Sequence, residues 1–123
     1  MTPPGTEGDC PVDVDILDTL RELADEDTPD FFTDLVQSYI ADAAQLGEQL
    51  TQAVADQDIE TVARSAHTLK SSSGNVGAGN LAGLCATIEN QARTHQNLEG
   101  AEQGAQNVAA ELKVVIAYLS SLI

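Results

Sequence analysis

The chain has 123 residues, a formal charge of −15 and 3% aromatic side chains, and 16 of its 20 carboxylates fall in the first 60 positions. A chain of this length buries one core of its own, and the shortage of aromatic residues favours aliphatic helix seams over a β-sandwich. So acidic a surface repels phosphate backbones and anionic lipid, which argues against nucleic acid and membrane as partners.

Residues 1–11 contain Pro3, Pro4, Gly5, Gly8 and Pro11 and are expected to be a disordered leader, with residues 12–123 as the folded domain. The leader has no signal-peptide pattern, and no apolar run approaches the roughly 18 residues of a membrane span, so a soluble, cytoplasmic protein is expected. Residues 13–24 read as a short helix with Val12, Ile16, Leu20 and Leu23 on one side. After the acidic run Asp25-Glu26-Asp27, Thr28 and Pro29 are expected to cap and open the next helix. That helix runs from 29 to about 55, with Phe32, Leu35, Val36, Tyr39, Ala43, Leu46, Leu50 and Ala53 recurring at spacings of three and four.

Asp56 or Asp58 caps a third helix, whose seam is Ile59, Val62, Ala66, Leu69, Ser73 and Val76. Gly77-Ala78-Gly79 breaks it, and Asn80 is expected to cap a fourth helix bearing Leu81, Leu84, Cys85, Ile88 and Ala92. Residues 95–100 form a loop, and a last seam follows through Leu98, Ala101, Ala105, Val108, Leu112, Val115, Leu119 and Leu122. Four long helices with one narrow stripe each, joined by short turns, predict an all-α, antiparallel up-and-down four-helix bundle. The additional short N-terminal helix would pack over one end. The two cysteines suggest no disulfide framework: Cys10 lies in the leader and Cys85 is a packing thiol.

The chemistry concentrates on the third helix. With its seam inside, the outer stripe is Glu60, Arg64, His67, Ser71 and Gly74, so His67 faces water or the bundle edge. Lys70 lies one turn after it and Arg64 one turn before, two of only five basic residues, and together they make a local anion site. Ser71 and Gly74 leave a shallow surface where a partner could reach the ring. A hairpin centred on Ala78 sets His67 level with Glu89, eleven residues to either side. Glu89 could there accept the proton of one imidazole nitrogen and leave the other as a nucleophile. The alternatives are an idle exposed histidine and a Glu89 that is solvated or paired with Arg93. The same register puts Arg93 near Ala63, where it adds to the positive patch or pairs with Glu89. A metal site from His67, Glu89 and His95 is disfavoured, because six residues turn the latter two about 240° apart on a helix. No glycine-rich nucleotide loop is present, so a nucleophilic histidine would need its phosphoryl group from a partner.

Ala66-His67-Thr68-Leu69-Lys70, with Ser72-Ser73, Asn75, Gly77-Ala78, Leu81, Leu84-Cys85 and Glu89, resembles the signature of histidine-containing phosphotransfer (HPt) domains. A looser similarity runs from Asp15 to the C-terminus: a phenylalanine-rich start to the long helix, Asp58 before the histidine helix and an apolar last helix. The resemblance implies a carrier in a multistep phosphorelay, not a self-sufficient kinase. His67 would take a phosphoryl group from a receiver-domain aspartate, or from a histidine kinase system, and pass it to another receiver. Lys70 would neutralise the phosphoryl oxygens and Glu89 would orient the imidazole. Arg64, Ser71 and Gly74 would meet the partner: a receiver domain of a response regulator or hybrid kinase. No cofactor of the chain's own is implied, since Mg²⁺ would come with the receiver, and a monomer is expected. Met1 and the leader favour a free-standing protein over an excised domain. One departure is Ser71, where the family most often has glycine; Gly74, where alanine or another small residue is common, restores part of the clearance. The alternative is a helical adaptor that binds receivers without phosphotransfer.

Overall fold

Helix ends in this chain are set by how each segment satisfies its terminal backbone groups. In a computed structural model, which describes residues 11–24 and 27–123, five helices follow one another: α1 (Val14–Glu22), α2 (Phe31–Ala55), α3 (Ile59–Asn75), α4 (Gly79–Thr94) and α5 (Ala101–Ser120). Of the expected leader, residues 1–11, all but Pro11 lie outside the described residues, and so does Cys10. Asp58 caps α3 by accepting the Thr61 N–H at 3.2 Å and the Thr61 hydroxyl at 2.7 Å.

Two caps differ from expectation. The long helix begins at Phe31 with Asp30 as its N-cap, because Pro29 is spent in a turn in which the Phe31 N–H donates to the Thr28 carbonyl at 3.1 Å. Asn80 is not a cap: Ala78 holds that position and Gly79 is already helical. The reason lies in the end of α3. Gly77 adopts φ +84°, its N–H donates to the Gly74 carbonyl at 3.1 Å, and the Ala78 N–H donates to the Ser73 carbonyl at 2.8 Å. This left-handed closing motif consumes Gly77 and Ala78 and turns the chain directly into α4. The end of α2 closes in the same way, with Gln57 at φ 59° and the Asp58 N–H on the Ala53 carbonyl at 2.9 Å.

The four long helices form an antiparallel bundle in which α3 packs on α2 and α4, and α5 closes the circle by packing on α4 and α2. Every seam residue expected for α3 from Val62 to Val76 is buried. Val36, Leu50, Leu69, Leu81, Val115 and Leu119 are fully inside, and each contributes about 1.5–3 kcal/mol of burial free energy. Leu98 is half-buried in the loop before α5 and does not belong to the helix. Buried Tyr39 on α2 and Ser73 on α3 share a hydrogen bond at 2.8 Å, which satisfies both hydroxyls inside the seam. Burial pushes the Tyr39 phenol up from its ordinary value.

The short helix α1 covers the turn between α3 and α4, with the Asp13 N–H donating to the Gly77 carbonyl at 2.8 Å. Val12 and Leu17 are the residues it buries, with Leu20 packed beside them, while Leu23 is 59% exposed. The expectation for Leu23 fails because the helix stops at Glu22 and Leu23 is its exposed C-cap. Arg21 stacks over the Phe32 ring at 4.8 Å and ties α1 to the start of α2.

Candidate functional site

Alternation around α3 decides what faces the core and what faces outward. Arg64, His67, Ser71 and Gly74 are all exposed, whereas Ala63, Ala66 and Leu69 between them are buried. The imidazole stands at mid-helix with 52% of its side chain accessible. Beside it, α4 delivers Glu89 at the level expected from the hairpin register, and the His67 Nδ1–H donates to Glu89 Oε2 at 2.9 Å.

Glu89 is 8% exposed, so its carboxylate needs compensation. Three donors supply it: Lys70 Nζ lies 2.7 Å from Oε1, and Arg93 Nε lies 2.8 Å from the same Oε2 that holds the histidine. Burial raises the Glu89 carboxyl, but the hydrogen bonds from Lys70, His67 and Arg93 outweigh it and hold the group below its ordinary value. An ionised carboxylate only accepts, so the proton on this side of the ring is on Nδ1, and the Nε2 lone pair points away from Glu89.

Lys70 differs from its expected placement. It is expected beside the ring with its charge available to an anion, yet its ammonium reaches across to α4, and about a third of the side chain is exposed. Arg93 does both things the register allowed: it bonds Glu89, and it lines the surface near Ala63. His95 is the exposed C-cap of α4 and joins none of these contacts. Among the described residues no cluster of His, Cys, Asp and Glu is suited to a metal ion. Glu89 itself, with three donors already on its two oxygens, has little left to offer one. Cys85 is fully buried and its thiol is pushed up to about 12 by burial, so it packs and does not react.

Above the ring the surface is low. A Cβ built on Gly74 meets nothing within 4 Å, and Ser71 is exposed on the same stripe. Below the ring lies a feature that the linear pattern did not show. Ile59, Glu60, Ala63 and Arg64 of α3, Ala92 and Arg93 of α4 and Gln96 just beyond it line an open cleft of about 550 Å³. It could have been found by extending the hairpin register from His67–Glu89 to Ala63–Arg93 and onward.

Taken together, the site is a solvent-facing imidazole with one nitrogen fixed by a buried, cation-braced carboxylate, on a bundle whose surface above the ring is open. Residues 34–120 match the family described as Hpt domain. Two curated relatives from Arabidopsis thaliana are similar over most of the chain. Histidine-containing phosphotransfer protein 5 is 31% identical over 106 residues, which is 84% of this chain and 67% of that protein. Histidine-containing phosphotransfer protein 2 is 29% identical over 99 residues, 78% of this chain and 63% of that protein. The chain thus spans about two thirds of the length of these relatives. Among solved structures, histidine-containing phosphotransfer protein B of Pseudomonas aeruginosa PAO1 superposes with a TM-score of 0.82 at 25% identity, covering 90% of this chain and 92% of that one. The phosphotransfer protein MtHPt2 of Medicago truncatula gives 0.76 at 27% identity, covering 97% and 83%. With the family matched across the whole bundle from α2 to α5, this chain belongs to the Hpt domain family of histidine phosphotransfer proteins.

Proposed function

We propose that His67 is the phosphoacceptor of a multistep phosphorelay, taking the phosphoryl group from a receiver-domain aspartate and passing it to another receiver. The observation that carries this is the 2.9 Å bond from Nδ1–H to Glu89 on a ring whose other edge is open. Nε2 attacks phosphorus as the bond to the receiver's aspartyl oxygen breaks, and that electron pair leaves with the carboxylate. Nδ1 keeps its proton, so the phosphorylated ring is cationic and faces the ionised Glu89. The onward step runs the same bonds in reverse to a second aspartate.

Lys70 is the charge nearest to the incoming phosphoryl oxygens that can move, and it reaches them by sharing or leaving Glu89 Oε1. Glu89 is not left bare when it does, because Arg93 stays on Oε2. The receiver supplies the aspartate and Mg²⁺, whose charge offsets that of the phosphoryl oxygens. Ser71 and Gly74 form the low ground on which the receiver sits. Among the described residues no helix is long and apolar enough to cross a membrane.

Mixing the protein with radiolabelled phospho-receivers of its own organism tests the reading. Acid-labile, base-stable label on the wild type and none on His67→Gln is the expected result. Binding of receivers with no label on either form would replace it with the adaptor alternative.

A further inference from the structure

We propose that the cleft one turn below His67 is a docking pocket for a carboxylate side chain of the receiver, with Arg64 as the residue that recognises it; this rests on the phosphotransfer reading above. Three of the five basic residues of a −15 chain, Arg64, Lys70 and Arg93, stand on this one face. Lys70 and Arg93 are held by Glu89. Arg64 is exposed on the histidine stripe and makes no ion pair within 4 Å among the described residues, although Asp58 feels its charge through space.

The cleft has the composition of a carboxylate pocket. Its floor is Ile59, Ala63 and Ala92, of which the two alanines are buried, and a guanidinium stands on each helix that forms its walls. Apolar ground beneath a guanidinium lowers the screening of its charge, and the planar fork matches a carboxylate in two-point geometry. Glu60, in the first turn of α3, is the one opposing charge among the lining residues. Gln96, in a left-handed conformation at φ 55°, lines the cleft beyond the end of α4. Its side chain donates to the Arg93 carbonyl at 2.7 Å, which also seals the end of α4.

Position makes the occupant a protein side chain. Arg64 precedes His67 by three residues, roughly 4.5 Å along the helix axis, so a receiver whose aspartate meets Nε2 also covers the cleft. A small anion in solution is repelled by the chain as a whole, whereas a carboxylate on the docked partner arrives already tethered. A contact of this kind selects between receivers and sets the encounter rate without entering the bond-making step.

The test measures dissociation constants of the full chain for each receiver domain of its organism, at low and high salt, for wild type, Arg64→Glu and Lys113→Glu. Lys113 is an exposed lysine on the α2–α5 face, so both variants change the net charge equally and differ only in place. Arg93 is left alone because it braces Glu89. The expected result is that Arg64→Glu weakens the tightest receiver by about tenfold at low salt, Lys113→Glu by less than about twofold, with the gap narrowing at high salt. Equal effects of the two variants, or none from either, overturn the pocket while leaving the phosphotransfer reading in place. If no receiver binds the wild type, that reading falls and the pocket with it.

Discussion

Glu89 concentrates the residue-scale physics. A nearly buried carboxylate survives in this bundle because Lys70 and Arg93 flank it on both oxygens, and His67 takes its orientation from the result. The pairing of His67 with Glu89 was legible in the sequence, since a two-helix hairpin fixes which positions share a level. The competition of three donors for one carboxylate was not, because it depends on how far long side chains reach across the groove. Lys70→Ala is expected to slow transfer from a phospho-receiver about 10- to 100-fold while leaving the circular dichroism of the bundle unchanged; a cooperative loss of helix would contradict its role. The acid limb of stability carries a second signature. Because the folded Glu89 carboxyl lies below its ordinary value, its contribution is complete above the ordinary glutamate range and is lost as the pH falls through the lower folded value. Thermal unfolding of the wild type should therefore lose stability in that window relative to neutral pH by more than Glu89→Gln does, when the two are melted side by side.

At the scale of elements, spacing located each helix and chain-closing motifs decided its ends. The periodic stripes gave α2 to α5 to within a few residues and left Asp56 or Asp58 as the cap of α3, and the contacts to Thr61 single out Asp58. Thr28-Pro29 and Asn80 misled because the same residue types serve turns and caps, and only the path of the backbone tells which. Gly77 and Gly74 separate two uses of glycine only three residues apart. A Cβ at Gly77 would sit 3.0 Å from the Asp13 carbonyl oxygen and 3.2 Å from Ile16 Cβ, on a backbone with φ +84°. Gly77→Ala is expected to destabilise the fold by about 1–3 kcal/mol in urea unfolding. Gly74, helical and in open space, should behave in the opposite sense: Gly74→Ala gains up to about 1 kcal/mol, while the bulkier Gly74→Leu weakens receiver binding by crowding the ground beside His67. A Gly74→Leu variant that stays folded and binds receivers unchanged would show that this surface is not where they sit.

Across the whole molecule, charge is sorted by position. Carboxylates crowd the first half of the sequence, and the cations collect where α3 and α4 present the histidine. Composition alone revealed the acidity, and the resemblance named the histidine. The cleft lined by Arg64 and Arg93 emerged only once the end of α4 was seen to lie against the start of α3. The bundle thus sets the unbonded edge of the His67 ring outward at mid-helix and leaves the surface beside it low, as the proposed phosphoacceptor role requires. The most direct measurement of that claim is nitrogen-15 NMR of the imidazole, before and after phosphorylation by a phospho-receiver. The account predicts a proton on Nδ1, held at Glu89, in the resting protein, and a phosphorus bond on Nε2 of His67 after transfer. A resting Nδ1 without a proton, or phosphorus on Nδ1 after transfer, would contradict it.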